Sequence, residues 1–271
     1  MERLLRIQGM PRSTFYYNTA TLRPDKWAAE RRKVVQIYHE NKGRYGYRRI
    51  TEEMHNRGYA INHKTVRRLM KEAGVICQVR MKKYRSYRGE VGKIAPNILN
   101  RNFDASAPLQ KLVTDVTEFS LFGEKLYLSP VLDLYNGEIL TYTISKHPVL
   151  DMVLDMARKL VGKIGRDTCA ILHSDQGFQY QHKRYQELLA GSGLIQSMSR
   201  KGNCLDNSVM ENFFGLLKSE LLYLQDFSSM DHFQRELRRY IKYYNERRIK
   251  MGLNGKSPKT YRICNGYEYA W

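Results

Sequence analysis

The chain has 271 residues, a hydrophobic fraction of 42% and a formal net charge of +19, which describes a folded protein with room for two domains and excludes a disordered one. No long uncharged apolar run is present, and the opening MERLLRIQGMPRS carries charges where a signal peptide needs its apolar segment, so neither a membrane span nor secretion is expected. A surplus of this size repels itself and attracts polyanions, nucleic acid first; composition alone fits a basic soluble protein equally.

Most of the excess positive charge lies in residues 1–110, and the remainder is richer in acids. The front therefore reads as the part that grips a polyanion and the back as the part that does chemistry. Cys77, Cys169, Cys204 and Cys264 are far apart and form no CxxC pair, which argues against a disulfide framework or a zinc site.

In chain order, residues 27–42 predict an amphipathic helix, with Val34, Val35, Ile37 and Tyr38 as its apolar face. A turn at Gly43 to Gly46 follows, then a second helix over 47–57 with Tyr47, Ile50 and Met54 inward and Gly58 as its stop. Asn62 suits the N-cap of a third helix that ends at Gly74. Val66, Leu69 and Met70 fall on one side of it, while Lys64, Arg67, Arg68 and Lys71 fall mostly off that stripe. Two helices joined by a short glycine-bearing turn, the second studded with bases, fit a DNA-contacting helix-turn-helix; an ordinary hairpin with solvated bases has the same pattern.

Residues 77–107 show no stable period. Lys82, Lys83 and Arg85 are mixed there with Tyr84 and Tyr87, so the segment reads as a basic linker able to contact phosphate, or simply a solvated one. The domain expectation is a helical region over 1–76, this linker, a catalytic core over 108–263 and a tail over 264–271.

From residue 111 the pattern turns to strands: 113–120, 125–135 and 138–145, the last two joined by the hairpin signal Asn136-Gly137. A helix over 149–165, a buried strand over 169–175, a helix from 182, a short strand over 194–199 and a long helix over 206–221 complete an α/β unit. The expectation is a mixed five-stranded sheet flanked by helices.

Three acids stand out. Asp115 lies within a strand, Asp175 ends a buried strand and emerges at the carboxyl edge where α/β ligand sites form, and Glu211 lies on the long helix, off the stripe of Val209, Phe213, Leu216 and Leu217. Singly, each reads as an ordinary surface acid. Together they are the oxygen donors that Mg²⁺ or Mn²⁺ requires, and two such ions about 4 Å apart can activate a nucleophile and stabilise a leaving oxygen in phosphoryl transfer. Asp206 is the rival third ligand, or an N-cap.

Thirty-five residues separate Asp175 from Glu211, and Lys218 follows seven positions later. This resembles the DDE motif of the retroviral-integrase superfamily of ribonuclease H-like polynucleotidyl transferases. The segments GMPRSTFYYN, GRYGYRRI, VTDVTEF, HSDQGFQY, SRKGNCLDNSVMENFFGLLKSE and YYNERRIKMGLNGKSPKTYR more narrowly resemble the second-frame product of two-frame bacterial insertion-sequence transposases, over nearly the whole chain. One departure is Leu112 after Gln110-Lys111, where such proteins commonly carry a Trp.

The resemblance implies a ribonuclease H-like core in which Asp115, Asp175 and Glu211 are catalytic and hold two Mg²⁺ (or Mn²⁺) ions, Asp115 shared between them. It implies that Lys218 contacts DNA phosphate, a solvated helix base being the alternative. It further implies cleavage and strand transfer at insertion-sequence ends, a homo-oligomer on DNA, an upstream-frame partner, and a cytoplasmic, nucleoid-associated location. His173 and Gln176 flank the second acid as packing or DNA-contact residues. A non-catalytic DNA-binding regulator or defective remnant, and a nuclease without joining activity, are the other readings; the intact triad and its spacing favour the transposase over the first, and the basic N-terminal region with the YYNERRIK…SPKTYR tail favours it over the second.

Overall fold

The computed structural model describes residues 5, 7–9, 11–19, 25–79, 94–165, 168–200 and 204–269. Lys82, Lys83, Arg85, Tyr84 and Tyr87, on which part of the linker reading rests, lie outside the described residues. The chain forms two compact units, Met1–Cys77 and Gln78–Trp271. Among the described residues no helix is long and apolar enough to cross a membrane.

The first unit contains helices α1 (Arg12–Thr19), α2 (Ala28–Glu40), α3 (Tyr47–Asn56) and α4 (His63–Glu72). Val34, Ile37, Ile50, Met54, Val66 and Leu69 are fully buried, and each such side chain contributes roughly 1.5–3 kcal/mol of hydrophobic stabilisation. The side chain of Asn62 accepts the Lys64 N–H at 2.8 Å and so caps α4 as expected. Gly58 and Gly74 end α3 and α4 with φ of +84° and +68°, conformations that favour glycine. One inward assignment is corrected: Tyr45 is buried, whereas Tyr47 is half-exposed. The Tyr47 ring lies on the cationic side instead, with the guanidinium carbons of Arg48 and Arg67 5.8 and 5.7 Å from its centroid. Lys64, Arg67, Arg68 and Lys71 are all exposed.

The second unit is built on strands β1 (Lys111–Thr114), β2 (Thr117–Leu121), β3 (Glu124–Asp133), β4 (Ile139–Ser145), β5 (Ile171–Ser174) and β6 (Ile195–Met198). It is a mixed sheet of order β2-β3-β1-β5-β6, with β4 on the other edge of β3. The count is six, not the expected five, because the strand predicted over 113–120 is interrupted at Asp115 and Val116. The cause lies across the ladder. β1 and β2 keep one antiparallel register along β3, which sets Pro130 opposite Asp115. Proline has no N–H to give, and its carbonyl is taken by the Thr114 hydroxyl at 2.8 Å.

Alternation of side chains across the sheet sends Val113, Phe119, Leu132 and Ile139 to one face and Leu112, Val131 and Leu140 to the other. The second face is covered by α5 (Leu150–Ile164) and α7 (Lys183–Ala190), with the single turn α6 (Phe178–Gln181) between β5 and α7. The first face is covered by α8 (Ser208–Leu217) and α9 (Met230–Glu246). A final helix, α10 (Pro258–Cys264), is tied back by Arg262, whose Nε lies 2.7 Å from Glu138. The tail is also packed: Tyr267 meets the Tyr135 ring edge-on at 5.6 Å.

Two further expectations change. The Asn136-Gly137 connection closes with bonds from Gly137 N to the Asp133 carbonyl and from Asp133 N to the Glu138 carbonyl, a longer loop than a two-residue turn. Gly137 alone takes positive φ, at +72°, and a Cβ there would collide with the Lys250 ammonium. In addition, residues 94–107, read as linker, are held on the second unit. Leu99 is buried in the face packed by α8 and α9, and the backbone N–H groups of Ile98 and Leu99 donate to the Ser197 hydroxyl at 3.0 and 3.3 Å.

Candidate active site

Asp115 follows β1 and Asp175 follows β5, two neighbouring parallel strands, so both acids leave the sheet at the same carboxyl edge. By alternation Asp115 points to the face covered by α8. Its Oδ1 accepts the Val116 N–H at 2.7 Å and its Oδ2 accepts the Asn207 side-chain amide at 3.1 Å. Asp175 accepts the Gly177 N–H at 2.9 Å. A Cβ on Gly177 would stand 3.0 Å from that carboxylate and 3.1 Å from the Gln179 side-chain oxygen, so the loop after β5 folds tightly around Asp175.

Burial pushes the Asp115 carboxyl well above the usual range, and the neighbouring charges of Asp175 and then Glu211 push it further. Burial likewise raises Asp175 and Glu211. The fully buried Tyr180 hydroxyl, raised by burial and then by Asp115 and Asp175, lies within the field of the same two acids. None of the three acids has a Lys or Arg ion-pair partner among the described residues. Among the described residues the site is therefore a concentration of carboxylate oxygen without a basic ion-pair partner.

Glu211 is reached differently from the expectation. The buried stripe of α8 is Met210, Phe213, Phe214 and Leu217, one position round from the predicted one. Glu211 and Lys218 thus flank the apolar face and are half-buried. No three His, Cys, Asp or Glu side chains among the described residues already stand close enough to hold one metal ion. Asp115 and Asp175 share the sheet edge, and Glu211 acts on Asp115 through its field.

The helix containing Glu211 continues past Leu217 into a π turn, Lys218–Leu222. Lys218 Nζ lies 5.8 Å from the Phe119 ring centroid, and burial lowers its pKa, partly offset by Glu118. Asp206 is neither a free ligand nor the N-cap. Its carboxylate accepts Asn97 and Arg101 at 3.0 and 2.9 Å and three N–H groups of Arg200 at 2.8–3.0 Å, with Arg200 foremost in holding its pKa well below the ordinary carboxylate range. His173 is fully buried, its ring nitrogens 2.8 and 3.1 Å from the Ser197 and Ser199 hydroxyls, and Gln176 donates to the Ser199 carbonyl; both pack the β5–β6 end. Asn207 is the site residue that sequence reasoning passed over. Its place beside Asp206 and before Glu211 was the available signal.

Comparison with known proteins agrees with this architecture. Residues 105–204 and residues 211–265 match two families described as integrase core domain, and residues 26–83 match an HTH-like domain. The chain is 51% identical over 263 residues to the putative transposase InsK for insertion sequence element IS150 of Escherichia coli K12, covering 97% of this chain and 93% of that one. It is 36% identical over 249 residues to the transposase for insertion sequence element IS904 of Lactococcus lactis, covering 90% and 98%. Among solved structures, the HTLV-2 integrase catalytic core domain in complex with magnesium aligns at 16% identity and a TM-score of 0.47, over 57% of this chain and 97% of that one.

Proposed function

This chain belongs to the insertion-sequence transposases with an integrase core, and we propose that Asp115, Asp175 and Glu211 are the carboxylates with which it cleaves and joins DNA strands at the ends of its element. The supporting observation is the pairing of Asp115 and Asp175 at one sheet edge, uncompensated by any basic partner among the described residues and within the field of Glu211. An all-oxygen donor set of this charge fits Mg²⁺ or Mn²⁺ and fits zinc or copper poorly. We infer that the three acids hold a pair of such ions, whose chemistry is to acidify a water or 3′-hydroxyl and to neutralise charge on the leaving oxygen.

The chain's own groups do the remaining work. Gly177 N–H and Val116 N–H orient the two aspartates, Tyr180 and the packed β5–β6 end keep water from behind them, and Glu211 approaches from α8. Lys218 sits on the same flank as Glu211, where its ammonium, partly desolvated, suits a DNA phosphate. In the first unit Lys64, Arg67, Arg68 and Lys71 present exposed charge on the second helix of the helix-turn-helix, the element that enters the major groove in such motifs. Arg68 is the weakest candidate of these, since it stands 3.7 Å from Glu72. A homo-oligomer on DNA, an upstream-frame partner and work at the nucleoid in the cytoplasm belong to the same proposal.

Strand transfer of a labelled element-end duplex in Mg²⁺ or Mn²⁺ tests the reading. Glu211→Gln should lose about 10²-fold or more in transfer, as when a group acting mainly in the transition state is removed, with duplex binding intact. Transfer that survives this change refutes the triad; a wild type that binds the duplex and never cuts it favours the regulator. Gly177→Ala gives a milder probe. Gly177 has φ of −57° and ψ of 144°, which alanine adopts freely, so the new methyl acts by crowding its two nearest neighbours, the Asp175 carboxylate and the Gln179 side chain. Cleavage should fall roughly tenfold while the melting temperature barely moves; a wild-type rate would show that the Asp175 position is not critical.

A further inference from the structure

Asn207 occupies the N-cap position of α8, a place where asparagine ordinarily turns its side chain onto the helix's own N–H groups. Here it makes no such bond. Its amide reaches instead across 92 positions of sequence to Asp115 Oδ2 at 3.1 Å. Only 5% of Asn207 is exposed, and its Oδ1 is buried without a hydrogen-bond partner among the described residues, an arrangement that costs free energy. Immediately before it, the Asp206 side chain is wholly buried and carries the Arg200, Arg101 and Asn97 bonds described above. Arg101 and Asn97 come from the segment ahead of β1, which the Ser197 hydroxyl anchors to the sheet through Ile98 and Leu99.

We propose that Asp206 and Asn207 are positioning residues of the active site: the Asp206 clamp on Arg101 and Arg200 fixes the start of α8 so that Asn207 holds the Asp115 carboxylate in place and Glu211 is presented to it. The inference rests on the three-carboxylate reading above and adds to it residues that hold no ion themselves. Two consequences distinguish it from simple packing. The clamp lies 109 positions from Asn97 in sequence, so the stretch before β1 becomes part of the catalytic apparatus and not a passive tether. And the residues act in series, so removing one should make removal of the next nearly harmless.

The test is Mn²⁺ affinity, read by electron paramagnetic resonance on the full chain with an element-end duplex bound, beside strand transfer and thermal melting. Groups that orient metal-binding carboxylates from outside change affinity by about 10–100-fold when removed. Asp206→Asn and Asn207→Ala are each expected to weaken Mn²⁺ binding about tenfold, and the double variant to be little worse than either single one. Arg101→Ala, whose side chain is 43% exposed and whose loss the fold tolerates more readily, should show the same effect in smaller degree, with Arg101→Lys recovering part of it. Mn²⁺ uptake that depends on Asp115 but is unchanged in all these variants overturns the inference alone. Additive losses in the double variant, or losses that merely follow the melting temperature, overturn it too. A wild type that takes up no Asp115-dependent Mn²⁺ sinks the underlying site as well.

Discussion

Asp115→Asn is expected to abolish strand cleavage and joining, by at least about 10³-fold or roughly 4 kcal/mol of transition-state stabilisation, and at the same time to make the metal-free protein harder to melt. The first effect follows from placement. Asp115 is the acid that feels both others, Asp175 and Glu211, so its charge cannot be replaced from either side. The second follows from the same electrostatics. Burial and like charge raise its folded pKa above the unfolded value, so the ionised carboxyl destabilises the fold wherever pH exceeds the ordinary carboxylate range. Neutral asparagine relieves that penalty. The advantage should therefore be present at neutral pH in chelator, and vanish as acid protonates the wild-type carboxyl. Added Mg²⁺ should raise the wild-type melting temperature and leave the variant's unmoved. A variant that melts lower than wild type in chelator at neutral pH would contradict the reading of this site as uncompensated charge.

What could be read from the chain without coordinates divides by the range of the interaction. Helices α3 and α4 of the first unit are signalled locally, by Asn62 as a cap and by Gly58 and Gly74 as stops, and they stand where those signals put them, whereas α1 (Arg12–Thr19) is a helix the sequence reading did not include. The split of the first strand is not local: it depends on Pro130 meeting Asp115 across the ladder, and neither residue's own neighbourhood announces it. For α8 the helical period was legible but its phase was not, because Val209, Met210, Phe213, Phe214, Leu216 and Leu217 offer two adjacent stripes; the core shared with the sheet face of Val113 selects the one with Met210. The signal for α9 is present and overlooked, since Phe233, Leu237, Tyr240, Ile241 and Tyr244 recur at helical spacing behind Ser229 as N-cap. Asp206 shows the opposite limit. An acid near a triad looks like a ligand until Arg101 and Arg200 are seen to saturate it.

Arg248→Ala should be the most damaging change to stability, because it breaks a pair from which water is excluded. Arg248 and Glu220 are 2% and 1% exposed in their side chains, and the guanidinium meets the carboxylate through Nε at 2.8 Å and Nη2 at 2.7 Å. The Tyr240 hydroxyl donates to the same carboxylate at 3.0 Å, and the guanidinium carbon lies 5.6 Å from the Tyr244 ring centroid. Such a pair adds little over a well-packed apolar substitute, yet removing one partner costs about 3–5 kcal/mol because the other charge stays buried. Against a total of about 5–15 kcal/mol for a domain, that loss should lower the melting temperature by roughly 10 °C or more. The location matters for function. Glu220 lies in the π turn that begins at Lys218, after Glu211, and Arg248 lies just past the end of α9, so the pair pins the far end of the helix whose near end Asp206 clamps. Below its melting point Arg248→Ala should consequently lose strand transfer as well. The double variant Glu220→Gln/Arg248→Met should melt above Arg248→Ala, since it leaves no uncompensated carboxylate. If it melts no higher, the damage comes from lost packing around Tyr244 and not from the stranded charge.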